Sequence, residues 1–415
     1  MKAKEVEASS RPDGVSAPYR FCYIAPDVPI PSPRGSSVHV REVAKALTSR
    51  GRELFIICRR TGRGEAKNEY FDGISLHRIY RFMVSPGRKV SGVVGKSAAE
   101  TQSGLPSILY GIYLRSLFSL YVAIVGARVI RKNKIDAVIE RETSFGAGAL
   151  ASILTGKPMI LEIVGPRYSR ISVWRSKKIL YYTDSMLRRW VKRSKCIEVS
   201  GGVNTSLFHE DRKAGEDLRK RLGFNTEHRV IGYVGTFQDW HGIDTLLFAI
   251  LDLKALCKNI RAVLIGPFYE KYKRLSKDLG LDDVCTFTGP VEYEHVSAYI
   301  NACDIMVALY EPARNSLRKQ YGIGSPLKIL EYMACDKPVI STRVSPVDKV
   351  VQQGSSGYLV TPGDKNELID AISRLLDDDS MINLFTKNGR RLVEEQFSWG
   401  AVADVIDNLL TERKH

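Results

Sequence analysis

The chain has 415 residues, 44% of them hydrophobic and 26% charged, with a formal net charge of +16. That composition is ordinary for a globular protein, and the length exceeds what one hydrophobic core usually serves, so two domains are expected. Seven cysteines without a C-x-x-C pair exclude a disulfide framework and a zinc site, and the polar stretch 1–18 lacks the apolar core of a signal peptide, so the expected compartment is the cytoplasm.

The charge is uneven along the chain. Residues 1–200 carry 35 Lys and Arg against 16 Asp and Glu, whereas residues 201–415 carry 27 against 30. Such asymmetry commonly marks contact with nucleic acid or an anionic membrane, with a merely solvated basic surface as the alternative. No RNA-binding or helix-turn-helix pattern is present and the basic residues are spread over α/β elements, so no nucleic acid is expected. A membrane surface or a phosphorylated acceptor fits better, which would place the protein peripherally at the inner face of the membrane.

In chain order, Tyr19 to Ala25 reads as a first strand, a Pro/Gly-rich loop bearing Gly35 follows, and Val38 to Leu47 repeats at helical spacing before Gly51. Leu54 to Cys58 gives a second strand, so the opening is a β-loop-α-β unit whose carboxyl edge is where doubly wound sheets gather ligands. His39 reads as a helix-facing structural histidine, with a role beside the Gly35 loop as the alternative. Residues 84–104 read as a mobile surface loop. Ser107 to Ile130 is apolar nearly all round, but its uncharged run is too short for the ~20 residues a bilayer span needs. It reads as a helix buried in the domain, with a membrane-dipping helix as the alternative, given the flanking Arg128, Arg131, Lys132 and Lys134.

Ile135 to Ile139 and Pro158 to Glu162 are further strands, with Glu140, Arg141 and Glu162 at carboxyl ends, where α/β enzymes place chemistry. Trp174 to Arg193 mixes aromatic and basic residues, as an exposed helix face or an anionic interface would. After a hinge near residues 200–210 the β-α alternation restarts at Arg229 and continues to Ala308, which predicts a second parallel-sheet domain.

The most informative stretch is Gly324-Ser-Pro-Leu-Lys-Ile-Leu-Glu-Tyr-Met-Ala-Cys-Asp-Lys-Pro-Val-Ile-Ser341. Ser325 suits an N-cap and Pro326 a first helical position, so free N–H groups would point out of the helix start near Leu327 and Lys328. That end attracts anions, and a lysine in the first turn is otherwise disfavoured. Glu331, one turn on, would reach a neutral hydroxyl beyond the anion, so phosphate followed by sugar hydroxyls points to a nucleotide sugar. The same residues also suit an ordinary helix-to-strand unit with Lys328 merely solvated.

This run resembles the signature of retaining, family-4-like glycosyltransferases (glycosyl transferases group 1). The resemblance implies the α/β GT-B fold, two Rossmann-like doubly wound parallel-sheet domains facing a cleft: an acceptor domain at 1–200, a donor domain at 201–397, and a C-terminal helix at 398–415 packing back on the first. Further resemblances are the "ER…G-P-x-x-L-E-x-N" stretch around Arg141 and Glu162, the "p-x-G-V-D-x-x-x-F" crossing at Ser200 to Phe208, and the loop at 235–242. The resemblance implies a donor site of Gly35, Thr236, Val291, Gly324, Ser325, Leu327, Lys328 and Glu331. It assigns catalytic roles to Lys328, Arg141 and His241, and places Glu140 and Glu162 on the acceptor side. The chain departs from the pattern where Arg141 replaces a histidine, Val164 an asparagine, Thr236 and His241 an Arg/Lys pair, and Ile323 the first Glu of a Glu-x7-Glu motif.

The implied activity is transfer of a hexosyl group, with retention, from a nucleoside diphosphate sugar to a glycan or lipid acceptor, without cofactor or catalytic metal. The alternatives are a non-catalytic nucleotide-sugar or lipid-binding subunit, or an epimerase or phosphorylase of the same architecture.

Overall fold

In the computed structural model, the described residues are 18–32, 35–62, 64–80, 105–141, 145–165, 168–256 and 259–411. The expected loop at 84–104 and the N-terminal stretch 1–17 lie outside them. Among the described residues the strands form two sheets. The first has eight, β1 (Arg20–Pro29), β2 (Glu53–Arg60), β3 (Asn68–Phe71), β4 (Ile74–Tyr80), β5 (Ala137–Arg141), β6 (Met159–Ile163), β7 (Lys178–Tyr181) and β8 (Cys196–Glu198), in the order β3-β4-β2-β1-β5-β6-β7-β8. All neighbours are parallel except β3 against β4. The second has six, all parallel: β9 (Arg229–Val234), β10 (Ile260–Ile265), β11 (Cys285–Gly289), β12 (Ile305–Ala308), β13 (Val339–Thr342) and β14 (Gly357–Val360), in the order β11-β10-β9-β12-β13-β14.

The apolar runs of these strands are what two covered faces require. Phe21 to Ala25, Val138 to Ile139 and Ile160 to Leu161 are essentially inaccessible in the first sheet, as are Ile305 to Ala308 and Val339 to Ile340 in the second. Each sheet reverses its strand order once, between β1 and β5 in the first and between β9 and β12 in the second. The crevice outside the carboxyl ends at such a reversal is where ligands bind in open α/β sheets.

Helix α1 (Gly35–Thr48) leaves the first reversal, three residues earlier than its apolar periodicity suggested. Helices α2 (Leu105–Lys132), α3 (Ala147–Thr155) and α4 (Arg170–Arg175) precede or follow β5 and β6. The basic stretch from Trp174 to Arg193 is not one helix face: it is divided among α4, β7 and short 3-10 turns.

The two halves meet at their carboxyl edges. Leu327 packs with the first core and Val38 of α1 with the second. Across the boundary, Arg41 pairs with Glu294 at 3.3 Å, Asn204 donates to Glu42 at 3.0 Å, and Lys349 pairs with Glu198. The chain crosses twice at one place, where the Val203 N–H donates to the Phe397 carbonyl at 2.9 Å. Beyond it the helix Trp399–Thr411 lies on α1, burying Trp399, Val402, Ala403, Ile406 and Leu410 in the first core. Arg50 and Arg52 of the first half hold its Asp404 and Asp407.

Candidate active site

At the second reversal, β9 ends in Tyr233-Val234 and turns through Gly235, whose φ of 149° lies in glycine territory. A methyl group on Gly235 would sit 2.5 Å from Lys328 Nζ. The turn therefore brings the backbone as close to that ammonium as any residue type permits. Tyr332 fixes the strand end, with its hydroxyl accepting from Val234 N at 2.8 Å and donating to the Val234 carbonyl at 3.2 Å.

Lys328 lies in the first turn of the helix Leu327–Ala334. Its Nζ donates to Tyr233 Oη at 3.3 Å and stands 4.6 Å above the Tyr233 ring and 5.5 Å above that of Tyr310. Two aromatic faces are attractive to a cation but cannot replace its water, and burial pulls the ammonium down to about 7, against the raising effect of Glu331. Glu331, one turn on, accepts from Tyr293 Oη at 3.1 Å and is buried. Burial pushes its carboxyl up to about 7, countered by Tyr293 and Lys328 and reinforced by Glu42 of the first domain. The first N–H groups of any helix have no intrahelical acceptor, so this end presents donors, partial positive charge and Lys328 together.

Ser325 does not cap this helix. Pro326 holds the half-in position with φ −82° and ψ 57°, which leaves Ser325 one residue too far out, and its buried hydroxyl has no hydrogen-bond partner among the described residues. It borders a cavity of about 200 Å³ at the hinge, with Tyr182, Gly201, Leu330, Pro346 and Phe397 among the lining residues. Gly201 faces it so closely that an added methyl would overlap Ser325 Oγ and come within 2.6 Å of Leu327. Gly324 is half-buried with open space beside its Cα.

Thr236 and His241 close the turn. The Thr236 carbonyl accepts from Tyr233 Oη at 2.7 Å and from His241 Nδ1. That contact gives the imidazole an Nδ1–H tautomer. Burial and the neighbouring Lys328 drive its pKa down to about 2, so His241 is a neutral ring and supplies no cation. It is enclosed by Trp240 and Tyr310, with Arg318 4.7 Å over the Trp240 ring. Val291 is half-buried behind Tyr293, and Ile323 is 1% exposed in the second core, far from the polar role its motif position suggested.

Gly35, at the start of α1, faces this helix: a methyl there would lie 3.8 Å from Leu327. The starts of two helices, one from each reversal, thus converge on one cleft. One turn further along α1, His39 leads to a different cluster. Glu162 of β6 is buried and accepts from Tyr182 Oη at 2.6 Å, from Tyr23 Oη and from His39 Nε2, with Arg141 at 3.4 Å. Burial alone would raise its pKa, but His39, Arg141 and Tyr182 overcome that and hold it below the ordinary carboxylate range. Glu140 is fully buried and accepts from Ala149 N at 2.9 Å, at the start of α3.

The structure therefore unites Lys328, Glu331, Thr236 and His241, sets Gly35 and Leu327 across from them, and joins Arg141 to Glu162. Both acceptor-side carboxylates lie inside the first domain, Glu162 as the centre of a polar cluster and Glu140 as a helix-start acceptor, so neither presents charge to an acceptor. Residues not anticipated are Tyr233, Tyr310, Tyr293, Trp240 and Glu42. Aromatic side chains at strand ends give no local sign that they enclose a lysine.

Residues 215–392 match the family model described as glycosyl transferases group 1. The chain is 22% identical over 405 residues to an uncharacterized glycosyltransferase of Methanocaldococcus jannaschii, covering 91% of this chain and 94% of the relative. It is 27% identical over 211 residues to the GDP-mannose-dependent alpha-(1-6)-phosphatidylinositol monomannoside mannosyltransferase of Mycobacterium tuberculosis, covering 50% of this chain and 54% of the relative. Among solved structures, Anabaena HepE in complex with UDP and glucose superposes with a TM-score of 0.68 at 16% identity, covering 95% of this chain and 99% of that one. The chain is a glycosyltransferase with the GT-B fold, and within its second half residues 215–392 match glycosyl transferases group 1.

Proposed function

We propose that the protein transfers a hexosyl group, with retention of anomeric configuration and without a catalytic metal, from a nucleoside diphosphate sugar to a lipid-linked or other anionic acceptor. The observation that carries this reading is the Lys328–Glu331 turn, set against Tyr233 and Tyr310 and opposite the start of α1. The diphosphate lies at the helix start beside Lys328, and Glu331 accepts from the ribose hydroxyls.

In the reaction, the bond from the anomeric carbon to the diphosphate oxygen breaks and the electron pair leaves with the diphosphate. The acceptor hydroxyl oxygen bonds the same face of that carbon, and its proton passes to the departing diphosphate. The protein's share is to meet the developing negative charge with fixed donors and to close the cleft against water. UDP and glucose in HepE, and GDP-mannose and phosphatidylinositol monomannoside in the name of the mycobacterial relative, support a nucleotide-sugar donor and a lipid acceptor here.

Incubation of a nucleotide-sugar panel with lipid extracts, followed by mass spectrometry of products, identifies the pair; transfer should persist in chelator. Lys328→Ala and Glu331→Ala should each reduce transfer at least ~tenfold. Unchanged transfer in both would refute the site.

A further inference from the structure

Helix α2 is not buried all round. Phe118, Val122, Ala123, Ala127 and Ile130 are buried, yet Leu117, Leu120, Tyr121 and Ile124 are exposed, at 39%, 49%, 36% and 41%. Their spacing of three and four residues places them on one stripe. One turn further on, the same stripe becomes basic: Arg128, Arg131 and Lys132 are exposed, followed by Lys134. The neighbouring helix end extends the face, since Ile153 and Leu154 of α3 are 44% and 48% exposed and Arg131 donates to the Leu154 carbonyl at 2.5 Å. Next to it stands Trp174 of α4, 72% exposed, with Arg175 donating to the Lys157 carbonyl at 2.9 Å.

Two further facts decide what covers this face. Helices α2, α3 and α4 contain no Asp or Glu, so the apolar stripe is rimmed by charge of one sign. No helix among the described residues is long and apolar enough to cross a membrane. Exposed apolar side chains, a tryptophan and a cluster of exposed basic residues at one end of a helix that cannot span suit a surface lying in the headgroup region of an anionic leaflet. We infer that the α2–α3–α4 face docks the first domain on an anionic lipid bilayer, with Leu120, Ile124 and Trp174 entering the interface and Arg128, Lys132 and Lys134 meeting lipid phosphates. The step is non-covalent and independent of catalysis, so it stands or falls separately from the transfer reading.

Co-sedimentation with vesicles tests it without donor or acceptor. The full chain should bind vesicles of equal phosphatidylcholine and phosphatidylglycerol, bind phosphatidylcholine alone at least ~tenfold more weakly, and be released by high salt. Neutralising two charges with Arg128→Gln and Lys132→Gln should weaken partitioning about 25-fold, at roughly fivefold per charge. Leu120→Ser with Ile124→Ser should weaken it at least ~tenfold while leaving the thermal midpoint unchanged, because both side chains already face solvent. Absence of binding, equal binding to neutral and anionic vesicles, or variants that bind like the parent would overturn the proposal. So would light scattering that shows a dimer dissociated by the Leu120→Ser, Ile124→Ser variant, which would make the face a contact between two copies of the chain.

Discussion

Replacing Lys328 with methionine should move stability and ligand affinity in opposite directions. In the unfolded chain this lysine has its ordinary value of 10.5, and in the folded protein burial lowers it to about 7. At neutral pH the folded state therefore carries a penalty of roughly three pKa units, about 4 kcal/mol at 1.36 kcal/mol per unit, or about 2–4 kcal/mol once its partial solvent access is allowed for. Methionine keeps the aliphatic stem against Tyr233 and Tyr310 and removes the charge. Glu331 then takes up a proton and keeps its bond to Tyr293. The empty protein should gain about 2 kcal/mol, a rise of about 4–8 °C in thermal midpoint. Affinity for a nucleoside diphosphate should fall about 10- to 100-fold, because a charge-assisted contact to the phosphates is lost. Thermal unfolding and titration calorimetry on the same preparations read both quantities. A lower midpoint with unchanged nucleotide affinity would refute the reasoning, since Lys328 would then be a structural cation.

The same pair sets a pH optimum. In the proposed donor site Lys328 holds the diphosphate when protonated and Glu331 accepts from ribose when ionised; with both pKa values at about 7, nucleotide affinity should peak near neutrality and fall by up to ~tenfold per unit on either side. A flat calorimetric profile from pH 6 to 9 would exclude this (~two units on the alkaline limb). Glu162→Gln should cost about 2–4 kcal/mol, because a buried acceptor for two tyrosines, a histidine and an arginine loses its charge. The folded pKa of Glu162 is depressed, so its contribution is present above the unfolded value of 4.5 and lost as pH falls below it. Denaturant midpoints should therefore converge between parent and variant in acid. Gly201→Ala places a methyl on Ser325 and Leu327, and should cut transfer at least ~tenfold by forcing the domains apart, with little change in the melting of either core. Small-angle scattering would report the opening, and an unchanged profile would count against it.

The alternation of strands and helices was legible because parallel strands buried on both faces are short apolar runs, and the helix starting near Leu327 was legible through its proline, lysine and glutamate. Ser325 misled because capping depends on which residue takes the half-in dihedrals, and Pro326 took them. Glu162 misled because a carboxylate at a strand's end looks exposed until Tyr23, Tyr182 and His39, from three other segments, enclose it. The tyrosines around Lys328 belong to strand ends about 77 residues apart in sequence, a proximity that only the parallel neighbours β9 and β12 create. Helix α2 is apolar on its exposed side as well as its buried one, so periodicity could not tell the two apart.

The double crossing at Val203 and Phe397 bears on how the chain folds as it is made. The first domain's core includes Trp399, edge-on to His39 with ring centroids 5.1 Å apart, and Ile406 and Leu410 beyond it. None of these exists until the whole second domain has been synthesised. The emerging first half must wait with α1 uncovered while residues 204–397 fold as a complete unit between its two parts. The second domain is thus a cassette whose ends lie side by side, exchangeable in principle for another of the same fold. Ribosome-bound chains halted before residue 399 should expose that seam to protease.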